Sequence, residues 1–176
     1  MKGMGNVTFP VTTLNPFAQK FFNQGVAQIH GFWYFEAERS FRQVALLDPD
    51  CAMAYWGMAM ANIQNAKRAK GLIKEAGSRK SKASPREVMW IESLAKFYDE
   101  EKRDEKTRKK EYAADLEVIF KAFPEDIEAK AFYAKQVWDI GNLTNVEREK
   151  AEKALNEVLA TNPLHPCHHY RIHLWN

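Results

Sequence analysis

Cysteine is nearly absent from this chain of 176 residues; there are two, Cys51 and Cys167. Two thiols build neither a dense disulfide framework nor a four-cysteine zinc site. Glycine and proline are scarce as well, at 8 and 7 residues, below their usual joint share of about 12%. That scarcity argues against a β-sandwich stitched by tight turns and against a long disordered linker. No apolar run approaches the roughly 18 residues needed to cross a bilayer, so no membrane partner is expected. Neither sign of charge dominates. A formal net charge of +3 is too small to argue for nucleic acid as a partner. A Gly-rich phosphate loop, a nucleophile elbow and a paired-cysteine metal motif are all missing, and no catalytic residue is expected. The stretch Met1-Lys2-Gly3-Met4-Gly5-Asn6 is not followed by the apolar core of a secretory leader. This favours a cytoplasmic location and leaves a periplasmic one open for a chain presented without its leader.

What is present is an ordinary globular composition, 45% hydrophobic and 28% charged, arranged with helical periods. Residues 1–14 read as an extended segment, because Val7, Phe9 and Val11 alternate. Asn15-Pro16 then supplies an N-cap and a proline at the first helical position. Phe17, Phe21, Phe22, Val26 and Ile29 follow at helical spacing, and His30-Gly31 ends the run. A second helix is predicted over Tyr34 to Leu47, stopped by Asp48-Pro49 because the residue before proline disfavours the helical region. A third is predicted from Cys51 to Ile63. Ser84-Pro85-Arg86-Glu87 and Thr144-Asn145-Val146-Glu147 are capping boxes that start further helices. Others are expected over 104–122 and 126–140, and a last one from about Pro166.

Helices ending at Pro49, Pro124 and Pro163 share a register. The residues 5, 8 and 12 positions before each proline are Val44, Phe41 and Ala37; Ile119, Leu116 and Tyr112; and Val158, Leu155 and Ala151. Ala69, Ile73 and Ala76 repeat the spacing without a proline. Such positions fall on one helix face. The pattern resembles the tetratricopeptide repeat, a helix–turn–helix unit of about 34 residues. Phe21, Gly25, Ala37, Phe41 and Pro49 stand at its signature positions; later copies keep less of it, and the resemblance covers residues 15–176. A narrower likeness, carried by Cys51-Ala52-Met53-Ala54-Tyr55-Trp56-Gly57, His165-Pro166 and His169-Tyr170-Arg171-Ile172-His173, is to a group of bacterial tetratricopeptide-like proteins. The resemblance implies an all-α, right-handed α-solenoid of antiparallel helix pairs. It also implies a non-enzymatic scaffold that binds a peptide or partner domain on its concave face.

Polar residues on the first helix of each pair are the candidate ligand-binding positions: Gln24, Gln28, Asn62, Asn65, Lys135 and Asp139. Met53, Tyr55, Trp56, Met58 and Met60 make the third helix either a core element or the lining of a peptide groove. An alternative chemistry sits near the C-terminus. His165, His169 and His173, spaced by four, are expected on one helical stripe. Neighbours at that spacing can share a divalent metal, although the outer two, about 12 Å apart along the axis, cannot bind one ion together. The other reading has these imidazoles hydrogen-bonded inside the last helix pair, and no other cofactor is expected.

Seven basic side chains in residues 67–82, from Lys67 to Lys82, have no aromatic among them and read as a solvated helix and loop rather than a nucleic-acid surface. The mixed run Glu100 to Lys106 reads as an exposed junction. Asn6 and Asn142 head glycosylation-type triplets. The chain stops within an apolar pattern. Either the natural protein continues beyond Asn176, or Ile172, Leu174 and Trp175 are covered in a homodimer through the C-terminal helix.

Overall fold

Capping chemistry places most of the elements. A computed structural model describes residues 3–99 and 103–175. Met1, Lys2, Asn176 and the Glu100–Lys102 part of the mixed-charge junction lie outside the described residues. Helix α1 (Pro16–His30) starts where Asn15 Oδ1 accepts from the backbone N–H of Phe17 at 3.0 Å and of Ala18 at 3.3 Å. Helix α2 spans Tyr34–Leu47 and α3 spans Ala52–Met60. Helix α4 (Ala66–Arg79) is capped by Asn65 and continues into a 3-10 turn at Lys80–Lys82. Helix α5 (Pro85–Tyr98) carries the Ser84/Glu87 capping box. Asp104 and Asp126 cap α6 (Glu105–Ala122) and α7 (Ile127–Ile140). Helix α8 (Asn145–Thr161) carries the Thr144/Glu147 box, and α9 covers His168–Trp175. No strand occurs among the described residues, and none of their helices is long and apolar enough to cross a membrane.

Two helices differ from expectation. Helix α3 ends at Met60, not Ile63: Asn62 Nδ2 donates back to the Met58 carbonyl at 2.8 Å, and the chain turns before Asn65 starts α4. The last helix starts at His168, so His165 precedes it in a turn.

The chain forms two compact units, within residues 1–99 and within residues 100–176. In the first, α2 packs on α1 and α3, and α4 packs on α3 and α5; α1 also touches α3, and α3 touches α5. In the second, α7 packs on α6, α8 and α9, and α8 on α9. The repeated register explains these contacts. Val44, Phe41 and Ala37 on α2, Ala76, Ile73 and Ala69 on α4, Ile119, Leu116 and Tyr112 on α6, and Val158, Leu155 and Ala151 on α8 are all buried. Small residues let neighbours approach. A Cβ on Gly25 of α1 would lie 2.7 Å from the Phe41 ring, and one on Gly57 of α3 would lie 2.4 Å from it. The Phe41 ring is seated between two helices at positions where a side chain is missing.

Candidate functional site

The extended start of the chain is not a loose tail. Val7 and Phe9 are buried while Thr8, Pro10 and Thr12 are exposed, the alternation expected of an extended strand lying on a surface. Phe9 is wholly buried among one aromatic from each of three helices: Phe22 of α1 at 5.3 Å between centroids, Trp56 of α3 at 5.7 Å and Trp90 of α5 at 5.2 Å. The Arg86 guanidinium lies over the same ring, 4.6 Å from its centroid. Edge-to-face packing of this kind adds about 0.5–1.5 kcal/mol per pair beyond the area buried.

The backbone of the segment has no sheet partner, so its polar groups are met by side chains. Gln19 Nε2 donates to the Phe9 carbonyl at 2.8 Å, and its Oε1 accepts from the Val11 N–H at 2.9 Å. Asn23 Oδ1 accepts from the Phe9 N–H at 3.2 Å. Arg86 donates to the Pro10 carbonyl. The buried Glu87 carboxylate accepts from the Thr12 N–H at 2.7 Å, from the Thr12 hydroxyl, and from the Ser84 N–H of its own capping box at 2.7 Å. Thr13 donates its hydroxyl to Asp48 at 2.6 Å. A cleft of about 420 Å3 opens beside the segment, lined by Met4 and Val7 on one side and Phe17, Lys20, Phe21 and Gln24 on the other.

The positions singled out from sequence divide among several roles. Gln24 lines the cleft and donates to Ser40 Oγ at 2.9 Å. Gln28 is 2% exposed and accepts from Ser40 Oγ at 2.7 Å, so it joins α1 to α2 instead of facing a groove. Asn62 and Asn65 do not sit on a first helix; they lie in the α3–α4 turn. Asn62 donates to Glu38 at 3.0 Å and Asn65 caps α4. Burial works to raise the Glu38 carboxyl, but hydrogen bonds from Asn62, Arg68 and Arg42 outweigh it and hold its pKa below 4.5. Lys135 is buried on α7 and ion-paired with Asp139 one turn later. Sequence reasoning missed Phe9, Gln19, Asn23, Glu87 and Trp90. The alternation of Val7, Phe9 and Val11 was their one signal, and it does not say which surface the segment meets.

The histidines are not one stripe. His165 is wholly buried; its Nδ1 accepts from the Cys167 N–H at 3.0 Å, so the proton is on Nε2, which donates to Glu128 Oε1 at 2.9 Å. His169 and His173 pair with each other on α9, Nε2 to Nε2 at 3.0 Å, and the Trp138 ring lies 4.9 Å from that of His173. His165 therefore lies in the turn before α9, hydrogen-bonded to Glu128, and does not share a helical face with His169 and His173. Both thiols are buried. Burial pushes Cys51 up to about 11, with Asp48 and Glu87 adding to the effect, and pushes Cys167 up to about 12, with Glu128 adding. Burial thus favours the neutral thiol over the thiolate at both positions. Trp175 and Ile172 are exposed, whereas Leu174, expected at the surface, is buried.

The described fold and site define an all-helical protein of packed neighbouring helices that hold an extended segment of chain through side-chain amides and a buried carboxylate. Comparison with models of protein families, with curated proteins and with solved structures finds no match.

Proposed function

We propose that this protein is a non-enzymatic interaction scaffold of tetratricopeptide type, its helix pairs stacked in the right-handed sense that the resemblance implies. Its binding face is the one built from the first helices of successive pairs, α1, α3 and α5. The observation that carries this reading is Phe9 lying among Phe22, Trp56 and Trp90 while Gln19, Asn23 and Glu87 engage an extended backbone. These hydrogen bonds address main-chain groups, so they suit an extended polypeptide of varied sequence, with the aromatic pocket supplying selectivity. The test is a peptide array probed with the full chain. Binders are expected to be extended segments whose capture is lost on Gln19→Ala and Asn23→Ala at unchanged helicity. Binders indifferent to both substitutions would refute the assignment of the face.

A second reading rests on the 3.0 Å separation of His169 Nε2 and His173 Nε2. Two nitrogens at zinc-ligand distance in a tetrahedral shell are about 3.3 Å apart, close to what this pair presents. As a metal site it supplies two ligands, with water or a partner completing the shell. Calorimetric titration with Zn2+ tests it: saturable binding of one ion, abolished by His173→Ala, supports the site, and no heat of binding refutes it.

A further inference from the structure

Three properties of residues 7–13 go beyond the presence of a binding face. The segment is itself in the seat of a ligand: one aromatic anchor in a closed pocket, flanking backbone groups read by side chains, and alternate residues facing solvent. Its attachment to α1 runs through Leu14, which is fully exposed and packs on nothing. Its N-terminal side borders an open cleft instead of a filled core.

Resting on the interaction-scaffold reading, we propose that residues 7–13 are an intramolecular occupant of the peptide face, and that the partner is an extended segment of the same chemistry: an aromatic residue, a proline directly after it, and a threonine or serine three positions after the aromatic.

Each element of that pattern has a counterpart. The aromatic fills the space between Phe22, Trp56 and Trp90, under the Arg86 guanidinium. At the next position the one backbone group engaged is a carbonyl, which accepts from Arg86; proline, which has no N–H to satisfy, loses nothing there. Its fixed φ lowers the entropy lost when the segment is ordered. Three residues after the aromatic, a hydroxyl and a backbone N–H together face Glu87, which is 2% exposed and accepts from both. An acidic residue at that position would set a second negative charge against a buried carboxylate, so acidic segments are rejected. While its own segment is docked, the face is closed to others. The apparent dissociation constant for a partner is then raised by the inverse of the fraction of chains whose segment is released.

The experiment titrates a fluorescent peptide with the sequence of residues 5–14 into the full chain and into a Phe9→Ala full chain, by fluorescence anisotropy. Circular dichroism confirms helicity in both. Weak binding by the unaltered chain and binding at least tenfold tighter by Phe9→Ala are expected, with a peptide lacking the phenyl ring bound by neither. A full-length Thr12→Pro chain, which removes both donors to Glu87 and leaves Phe9 in place, gives a second release variant if Phe9→Ala fails to fold. Equal affinity of released and unaltered chains would overturn intramolecular occupancy while leaving the interaction face standing. No binding by folded release variants would overturn the recognition pattern. A dimer of the unaltered chain that grows with concentration and is dispersed by excess peptide would show that a second copy is the occupant, which also overturns the proposal.

Discussion

Replacing Gly57 by alanine separates two effects of opposite sign. In a helix interior alanine is favoured over glycine by about 0.5–1 kcal/mol, and Gly57 lies inside α3. The added Cβ, however, would stand 2.4 Å from Phe41 Cδ1 and 2.5 Å from Cε1 and Cγ. Carbon atoms in good contact are about 3.5–4.0 Å apart. The ring has nowhere to retreat. It is wholly buried, a Cβ on Gly25 of α1 would stand only 2.7 Å from its Cε1 and Cζ, and the Phe22 ring lies 5.3 Å away. Overpacking of this kind costs about 1–3 kcal/mol, so Gly57→Ala is expected to lose about 1–2 kcal/mol net. Gly71 and Gly77, both inside α4, have no atom within 4 Å of an added Cβ. The same substitution there is expected to gain about 0.5–1 kcal/mol. Urea unfolding followed by far-UV circular dichroism, at constant m-value, compares the three. Combining Gly57→Ala with Phe41→Leu makes room for the methyl, and the double mutant is expected to recover about 1 kcal/mol relative to additivity. Gly57→Ala stabilising the protein as much as Gly71→Ala does would refute the packing argument.

Three further outcomes are expected. Leu155→Ala, at a fully buried register position, costs about 2–5 kcal/mol, whereas Gln28→Ala costs about 1–2 kcal/mol by leaving the buried Ser40 hydroxyl without its acceptor; urea midpoints decide both. Cys51 and Cys167 resist iodoacetamide at pH 8 in the folded chain and react on unfolding. Their folded pKa values of about 11 and about 12 lie above the ordinary thiol value of 9.0, so the folded form holds protons that the unfolded form releases, and stability falls as pH rises from 9 towards 12; a flat profile there would contradict the burial of both thiols. Glu38 has the opposite sign: its lowered pKa stabilises the fold above about 4.5 and the contribution disappears as pH falls through the folded value, an acid slope that Glu38→Gln should flatten.

Local chemistry was legible in the sequence. Asn15-Pro16, the Ser84/Glu87 box, the Thr144/Glu147 box and Asp48-Pro49 each act within a few residues, and the helices begin or end there. The spacing of 5, 8 and 12 before a proline identified residues that are all buried, because residues on one helix face meet the same neighbour. The alternation of Val7, Phe9 and Val11 likewise marked an extended segment; the structure adds that Val7 and Phe9 are buried. Other roles depended on groups far apart in the chain. Glu87 reads as a capping residue, yet its second function is set by Thr12, 75 residues earlier. Gln28 reads as a polar surface residue until Ser40 of the next helix takes its amide oxygen. His165 shares a spacing of four with His169, but a turn and the buried Glu128 remove it from their helix. Periodicity and capping are set by neighbours along the chain. Which donor meets which acceptor across packed helices is set by how the helices come together, and only the tertiary structure decided that.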